Sequence, residues 1–294
     1  MPNEPFDSLS FELALRRARL CAVLLPPQHV PVDWLRALAA EVCPALANIP
    51  RAMDVLVRSL FNQGLLRSDS ELSPVAHANE RAARQVRDAL DEEEAVALKK
   101  LLRDFCSKRL EAWRAERTQR INRVMTGDPM KAVTGWTVPP IEEVRARAIG
   151  DDRVEIVDFG DGTYSVRVPM ALAWEDESLQ AFAQQEFASE DLEGIAWALR
   201  TKLLTAGVLG AEKERIGDLH LRQPQSTRAA LVAGLFWLSL AHQGYGEGSS
   251  CGIAWSLAGK AVEILEGARE RQPDDAGVAA LLAEAKRAHW SYDN

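Results

Sequence analysis

The stretch from Leu20 to Leu90 constrains the fold most. An apolar helix over Phe11–Leu25, with Arg16, Arg17 and Arg19 exposed, runs into Pro26-Pro27. Two consecutive prolines stop a helix, because each lacks the N–H and clashes with the preceding turn. Trp34, Leu35, Leu38 and Val42 then recur on one side of a second helix, Val32–Cys43. Pro50 is placed to open a third helix at its first position, where a missing N–H costs nothing. Met53, Leu56, Val57 and Leu60 form the apolar stripe of that helix, and Gly64 suits a left-handed cap. Leu65-Leu66 and Leu72–Val75 read as short strands around a polar turn, and a further helix is expected over Ala76–Leu90.

That order is the order of a winged helix. In a DNA-reading member the third helix would enter the major groove. Its exposed positions here would be Arg51, Asp54, Arg58 and Asn62, and the wing adds Arg67 against Asp69 and Glu71. Arg51, Arg58 and Arg67 are therefore the DNA contacts of a transcription-regulator reading. Three arginines among acidic residues make a thin footprint, since useful affinity at physiological salt needs many phosphate contacts. A protein-packing winged helix is the preferred reading.

The run LCAVLLPPQHVPVDWLRALAAEV, followed by ALANIPRAMDVLVRSLFNQGLLRSDSELSPVAHANERAARQV, resembles the winged-helix domain of STAND-class signalling NTPases, the NB-ARC and related proteins. The resemblance covers about a quarter of the chain. It implies that His77 stands where that family's Met-His-Asp-like motif senses the phosphates of ADP. Here Ala76 and Ala78 flank the histidine, and no GxxxxGK[ST] phosphate cradle occurs in the chain. The resemblance therefore implies a winged helix detached from its NTPase, without a nucleotide cofactor, and His77 reads as an ordinary helix-start residue.

With 294 residues the chain can hold two or three domains. The N-terminal residues show no basic region followed by an apolar core, so no signal peptide is expected. No apolar run approaches the roughly 18 residues of a membrane span. Cys21, Cys43, Cys106 and Cys251 form no CxxC pair and read as free thiols in a reducing cytoplasm. Residues 1–130 carry 19 basic and 18 acidic side chains, and residues 131–294 carry 16 and 25. The acidic second half argues against a broad nucleic-acid surface there.

A long charged helix is expected over Glu93–Met125. Its block from Lys108 to Arg123 spreads five arginines and a lysine over several helix faces, a pattern suited to internal ion pairs. Arg114, Arg117 and Arg120 are its candidate partner-binding residues. Thr126-Gly-Asp-Pro129 ends the helix, and Trp136–Pro140 reads as linker. Two β-rich runs over Arg153–Val168 flank Asp161-Gly162, a type I′ hairpin signal that would set Val157 and Phe159 against Tyr164 and Val166 on an inward face. Asp158 and Asp161 read as turn chemistry rather than metal ligands.

From Glu177 the chain reads as helical, with Phe182, Phe187, Leu192, Ile195, Trp197 and Leu199 as core candidates. Ala261, Leu265, Ala268 and Pro273 match the second helix of a tetratricopeptide (TPR) repeat, with Thr227–His242 as its first helix. Between them Gln243–Gly252 reads as a long mobile loop, where Tyr245 and Trp255 just beyond it are candidate partner contacts. One GxSxG match, Gly248–Gly252, would make Ser250 a nucleophile with Asp274 or Asp275 and His289, but it lacks the strand such an elbow needs. His220, His242 and Cys251 offer no motif spacing. No catalytic, cofactor or metal residue is assigned.

The expected organisation is mainly α: a winged-helix-like domain over 1–92, a helical arm over 93–130, a linker and β-hairpin over 131–175, and a TPR-like helical domain over 176–294. The expected role is a non-enzymatic, cytoplasmic protein-interaction module in a bacterial signalling or defence assembly, with a protein partner and no membrane. The alternatives are a DNA-binding transcription regulator and an enzyme whose site carries no secure motif.

Overall fold

The computed structural model describes residues 8–49, 51–68, 70, 73–133, 138–246 and 251–293. It is mainly helical, with a few short antiparallel strands, and it divides into two compact units, Met1–Ser178 and Leu179–Asn294. No helix among the described residues is long and apolar enough to cross a membrane.

The first unit opens with α1 (Ser8–Leu24), β1 (Val30–Pro31), α2 (Val32–Val42), α3 (Pro44–Ala47) and α4 (Ala52–Asn62). It continues through β2 (Leu66–Arg67), β3 (Val75–Ala78), α5 (Glu80–Asp88), α6 (Glu92–Thr126) and α7 (Ile141–Ala148) to β4 (Glu155–Asp158) and β5 (Tyr164–Arg167). Trp34, Leu35, Leu38, Leu56 and Leu60 are fully buried, as their spacing requires. Leu98 and Leu102 of α6 are buried too, and Phe105 meets Trp34 edge-on with ring centroids 5.8 Å apart. Gly64 takes φ +67° after α4, and the Leu65 amide donates back to the Leu60 carbonyl, closing the helix end.

Three details differ from the sequence reading. His77 lies on a strand, not at a helix start. β3 pairs with β1 on one side (Val30 with Ala76) and β2 on the other (Arg67 with His77). Ladder hydrogen bonds on both edges outcompete a local helix, and Asn79 is a far better N-cap than His77. The Asn79 side chain accepts from the Arg81 and Ala82 amides and starts α5 there. Pro50 lies outside the described residues. The third helix begins at Ala52 behind Arg51, which holds φ +64°, while Pro44 is the proline that opens a helix. Finally, α7 fills part of the expected linker, with Glu142 and Glu143 in its first turn and Arg145 and Arg147 in its last, as the helix dipole favours.

The β4–β5 hairpin is shifted by one residue. Asp158 pairs with Tyr164 and Ile156 with Val166, and the Phe159 amide donates to the Thr163 carbonyl. The turn thus holds three residues, Gly160–Gly162, instead of two. Asp158 accepts from the Gly160 amide and Asp161 from the Thr163 amide, and these two side-chain turns stabilise the longer connection. Phe159 is left exposed, and Ile156, Val166 and Tyr164 share the face whose Tyr164 hydroxyl donates to the Pro139 carbonyl.

α8 (Ala173–Ala188) contains the division between the units. The second unit adds α9 (Leu192–Thr201), α10 (Ala206–Ala211), a π-helical turn (Lys213–Gly217), α11 (Leu219–Arg222), α12 (Thr227–Gly246), α13 (Cys251–Arg271) and α14 (Ala276–Asp293). Phe182, Phe187, Ile195 and Leu199 are buried; Leu192 and Trp197 pack partly buried against that core. The expected long loop is mostly helix: α12 runs to Gly246 and α13 starts at Cys251, with residues 247–250 outside the described set. Glycine's poor helix propensity, about 1 kcal/mol per residue, does not prevent the helix here.

Gly162 has φ +85°, and no atom lies within 4 Å of the Cβ position a larger residue would fill. Gly162→Ala should therefore cost about 1 kcal/mol through backbone strain alone; an unchanged melting temperature would contradict the turn. Cys21 is fully buried, and burial, slightly opposed by Arg17, pushes its thiol up to about 12. It should resist thiol reagents at pH 8 until the protein unfolds, and rapid labelling of native Cys21 would refute its packing.

Candidate functional site

The arm places its arginines against the chain's own carboxylates. Arg120 donates to Glu116 at 2.8 Å and also to Asp151, Arg123 pairs with the same Asp151, and Arg153 donates to Glu116 at 2.7 Å. Asp151 is the hub, with a side chain only 6% exposed. Burial would raise its pKa, but the Arg120 hydrogen bond, the Arg153 amide and the two guanidinium charges outweigh this and hold it low. Glu116 is likewise held low, first by Arg120. Arg117 lies over the Trp113 ring, 5.7 Å from its centroid. Arg114 is half-buried, and burial with the Arg117 charge lowers its pKa against the pull of Glu111. Of the three arm arginines, Arg120 is thus bound into a structural ion network and Arg117 shields an indole.

The α4 face is electrostatically mixed. Arg58 borders a cleft of about 700 Å³ with Asp54, Phe61 and Asn62. Arg36, in the same cleft, is bracketed by Asp33 at 2.6 Å and Asp54 at 3.0 Å. Arg51 is exposed at the start of α4, and Arg67 is exposed on β2 opposite His77.

The histidines considered for catalysis have packing contacts. His220 Nδ1 lies 3.1 Å from the Gly217 carbonyl, which also accepts from the Trp237 indole. His242 Nδ1 lies 2.8 Å from the Tyr292 hydroxyl; burial, then Lys202, lowers its pKa against Glu284, so it favours the neutral form. Asp275 caps α14 by accepting from the Val278 amide at 2.9 Å. Ser250 lies outside the described residues, as do the side chains of Tyr245 and Cys251.

Two exposed tryptophans lie on α13 and α14. Trp255 is 41% exposed and stacks on His289 with centroids 4.7 Å apart and planes 28° apart. Gly259, one turn along, leaves room for that imidazole: a Cβ there would stand 3.3 Å from His289 Nε2. The adjacent Trp290 is 70% exposed. Large exposed aromatics are uncommon on a solvated surface and are enriched where partners dock. Trp290 was legible in principle. Val278, Leu281, Leu282, Ala285 and Ala288 form the buried stripe of α14, and Trp290 falls on the opposite side.

Asp151→Asn should destabilise the first unit by about 1–3 kcal/mol, because it weakens the hub of a partly buried network. The carboxyl is held below the ordinary aspartate value of 3.8, so its stabilisation is present above that pH and lost as pH falls through the lowered value. The variant should therefore show a shallower loss of stability below pH 4; an acid limb as steep as that of the unaltered protein would contradict the network.

No protein-family model, curated protein or solved structure matches this chain.

Proposed function

We propose that this chain is a non-enzymatic protein-interaction module, an adaptor, regulator or target subunit in a bacterial signalling or defence assembly. Its first unit is winged-helix-like and its second carries a TPR-like helical hairpin. Support for the first comes from the order α1, α2, α4, then β2 and β3 antiparallel, with β1 as a third strand. Support for the second comes from Ala261, Leu265 and Ala268, all fully buried on α13, and from the short connection between α12 and α13. The assembly context rests on the resemblance of residues 11–90 to STAND-class winged helices.

One observation carries the interaction reading: Trp255 and Trp290 stand exposed on one helical pair, one of them held in place by a stacked histidine. A rigid, partly desolvated tryptophan makes a strong docking anchor, because it loses little entropy and buries much area. The DNA-binding alternative has less behind it, since Asp33 and Asp54 neutralise part of the α4 face.

Tagged chain purified from its native host should bring down one protein in stoichiometric amount. Trp290→Ala should lose most of it, at an unchanged melting temperature, because the side chain is largely solvated. Retention of the same partner by Trp255→Ala and Trp290→Ala alike would remove the basis for the reading, and tight, salt-dependent DNA binding that needs Arg51 and Arg58 would replace it.

A further inference from the structure

A second surface, within the first unit, points to a more specific ligand. Between α1 and α5 runs a groove of about 630 Å³. Leu9 and Leu13, one helical turn apart on α1, line it and are 65% and 51% exposed. Val86 on α5 and Leu90 just beyond it form the facing wall. From Leu9 to Arg19 the α1 side extends roughly 15 Å at 1.5 Å per residue, about three helical turns.

Two arginines lie in this groove and they differ. Arg16 is paired with Glu94 at 2.6 Å. Arg19 has no ion-pair partner among the described residues, and its Nε is buried without a hydrogen bond. A guanidinium is matched to a planar carboxylate, which it binds in fork geometry. Leucine walls do not suit a phosphate backbone, and Glu12 and Glu94 on the lining disfavour a polyanion.

We infer that this groove receives an amphipathic helix of a protein partner. An apolar i, i+3, i+4 stripe of that helix covers Leu9, Leu13 and Val86, and one aspartate or glutamate meets Arg19. The apolar stripe supplies the affinity, and the carboxylate sets the register. This surface is independent of Trp255 and Trp290, so the two proposals stand or fall separately.

The test is a displayed library of 15-residue helical peptides selected on the full chain, with winners measured by fluorescence polarisation. The expected winners share an apolar stripe and one acidic residue at a fixed spacing from it. Leu13→Glu should weaken them at least tenfold. Arg19→Gln should weaken the acidic peptides about tenfold and leave their Glu→Gln counterparts unchanged, with circular dichroism confirming that both variants fold. The inference is overturned if nothing is enriched, if the winners bind Leu13→Glu equally well, or if they lack an acidic residue whose effect depends on Arg19.

Discussion

The closeness of α12 to α13 governs the second unit. At Gly234 a single added carbon would stand 2.7 Å from Leu265, so the two helices meet with no room for a side chain. Small residues recur among the buried positions of α13, where Ala254, Ala258, Ala261 and Ala268 are all fully buried. Gly217 is under the same constraint against Trp237, where a Cβ would come within 2.8 Å of the indole. Phe236 and Trp237 are buried in this interior, ring against ring with centroids 5.4 Å apart, whereas Trp255 and Trp290 are exposed. Exposed tryptophans on a closely packed helical pair suit a preorganised docking surface.

The first unit reaches rigidity differently. Its helical core closes around Trp34 and the N-terminal half of α6, while the C-terminal half of α6 is held by charge. A 35-residue helix with arginines on several faces cannot be buried as a whole. It becomes a strut, with Asp151 and Glu116 pairing Arg120, Arg123 and Arg153. Such a network contributes less through each pair than through fixing several side chains at once. Its consequence for function is subtractive: much of the basic block is paired inside the molecule, whereas Arg19, in a leucine-lined groove, has no ion-pair partner among the described residues.

Much of this architecture was legible in the sequence, and the failures have identifiable causes. The proline stop after α1, the left-handed Gly64, the arm ending at Gly127 and the cores of α2 and α4 all arise from local chemistry that tertiary contacts reinforce. Local chemistry misled where a partner strand or helix lay far along the chain. Residues 76–78 read as helix, but Val30 and Leu66 pair with them from both sides. Gln243–Gly246 read as loop from its glycines, yet it continues α12. The hairpin slipped by one residue because Asp158 and Asp161 both cap amides within the turn, an effect that alternation of apolar residues does not report. Of the candidate contacts, Trp255 was picked from sequence, whereas Trp290 and the Leu9–Leu13 groove needed the helix faces to be placed first.

The most direct test of the account is site-specific photocrosslinking in the native host. A photoreactive phenylalanine analogue in place of Trp290 should trap a single partner protein, while the same analogue at Arg269, exposed on α13, should trap none. Equal labelling from both positions, or no crosslink from position 290, would show that the surface around Trp290 is not a docking surface.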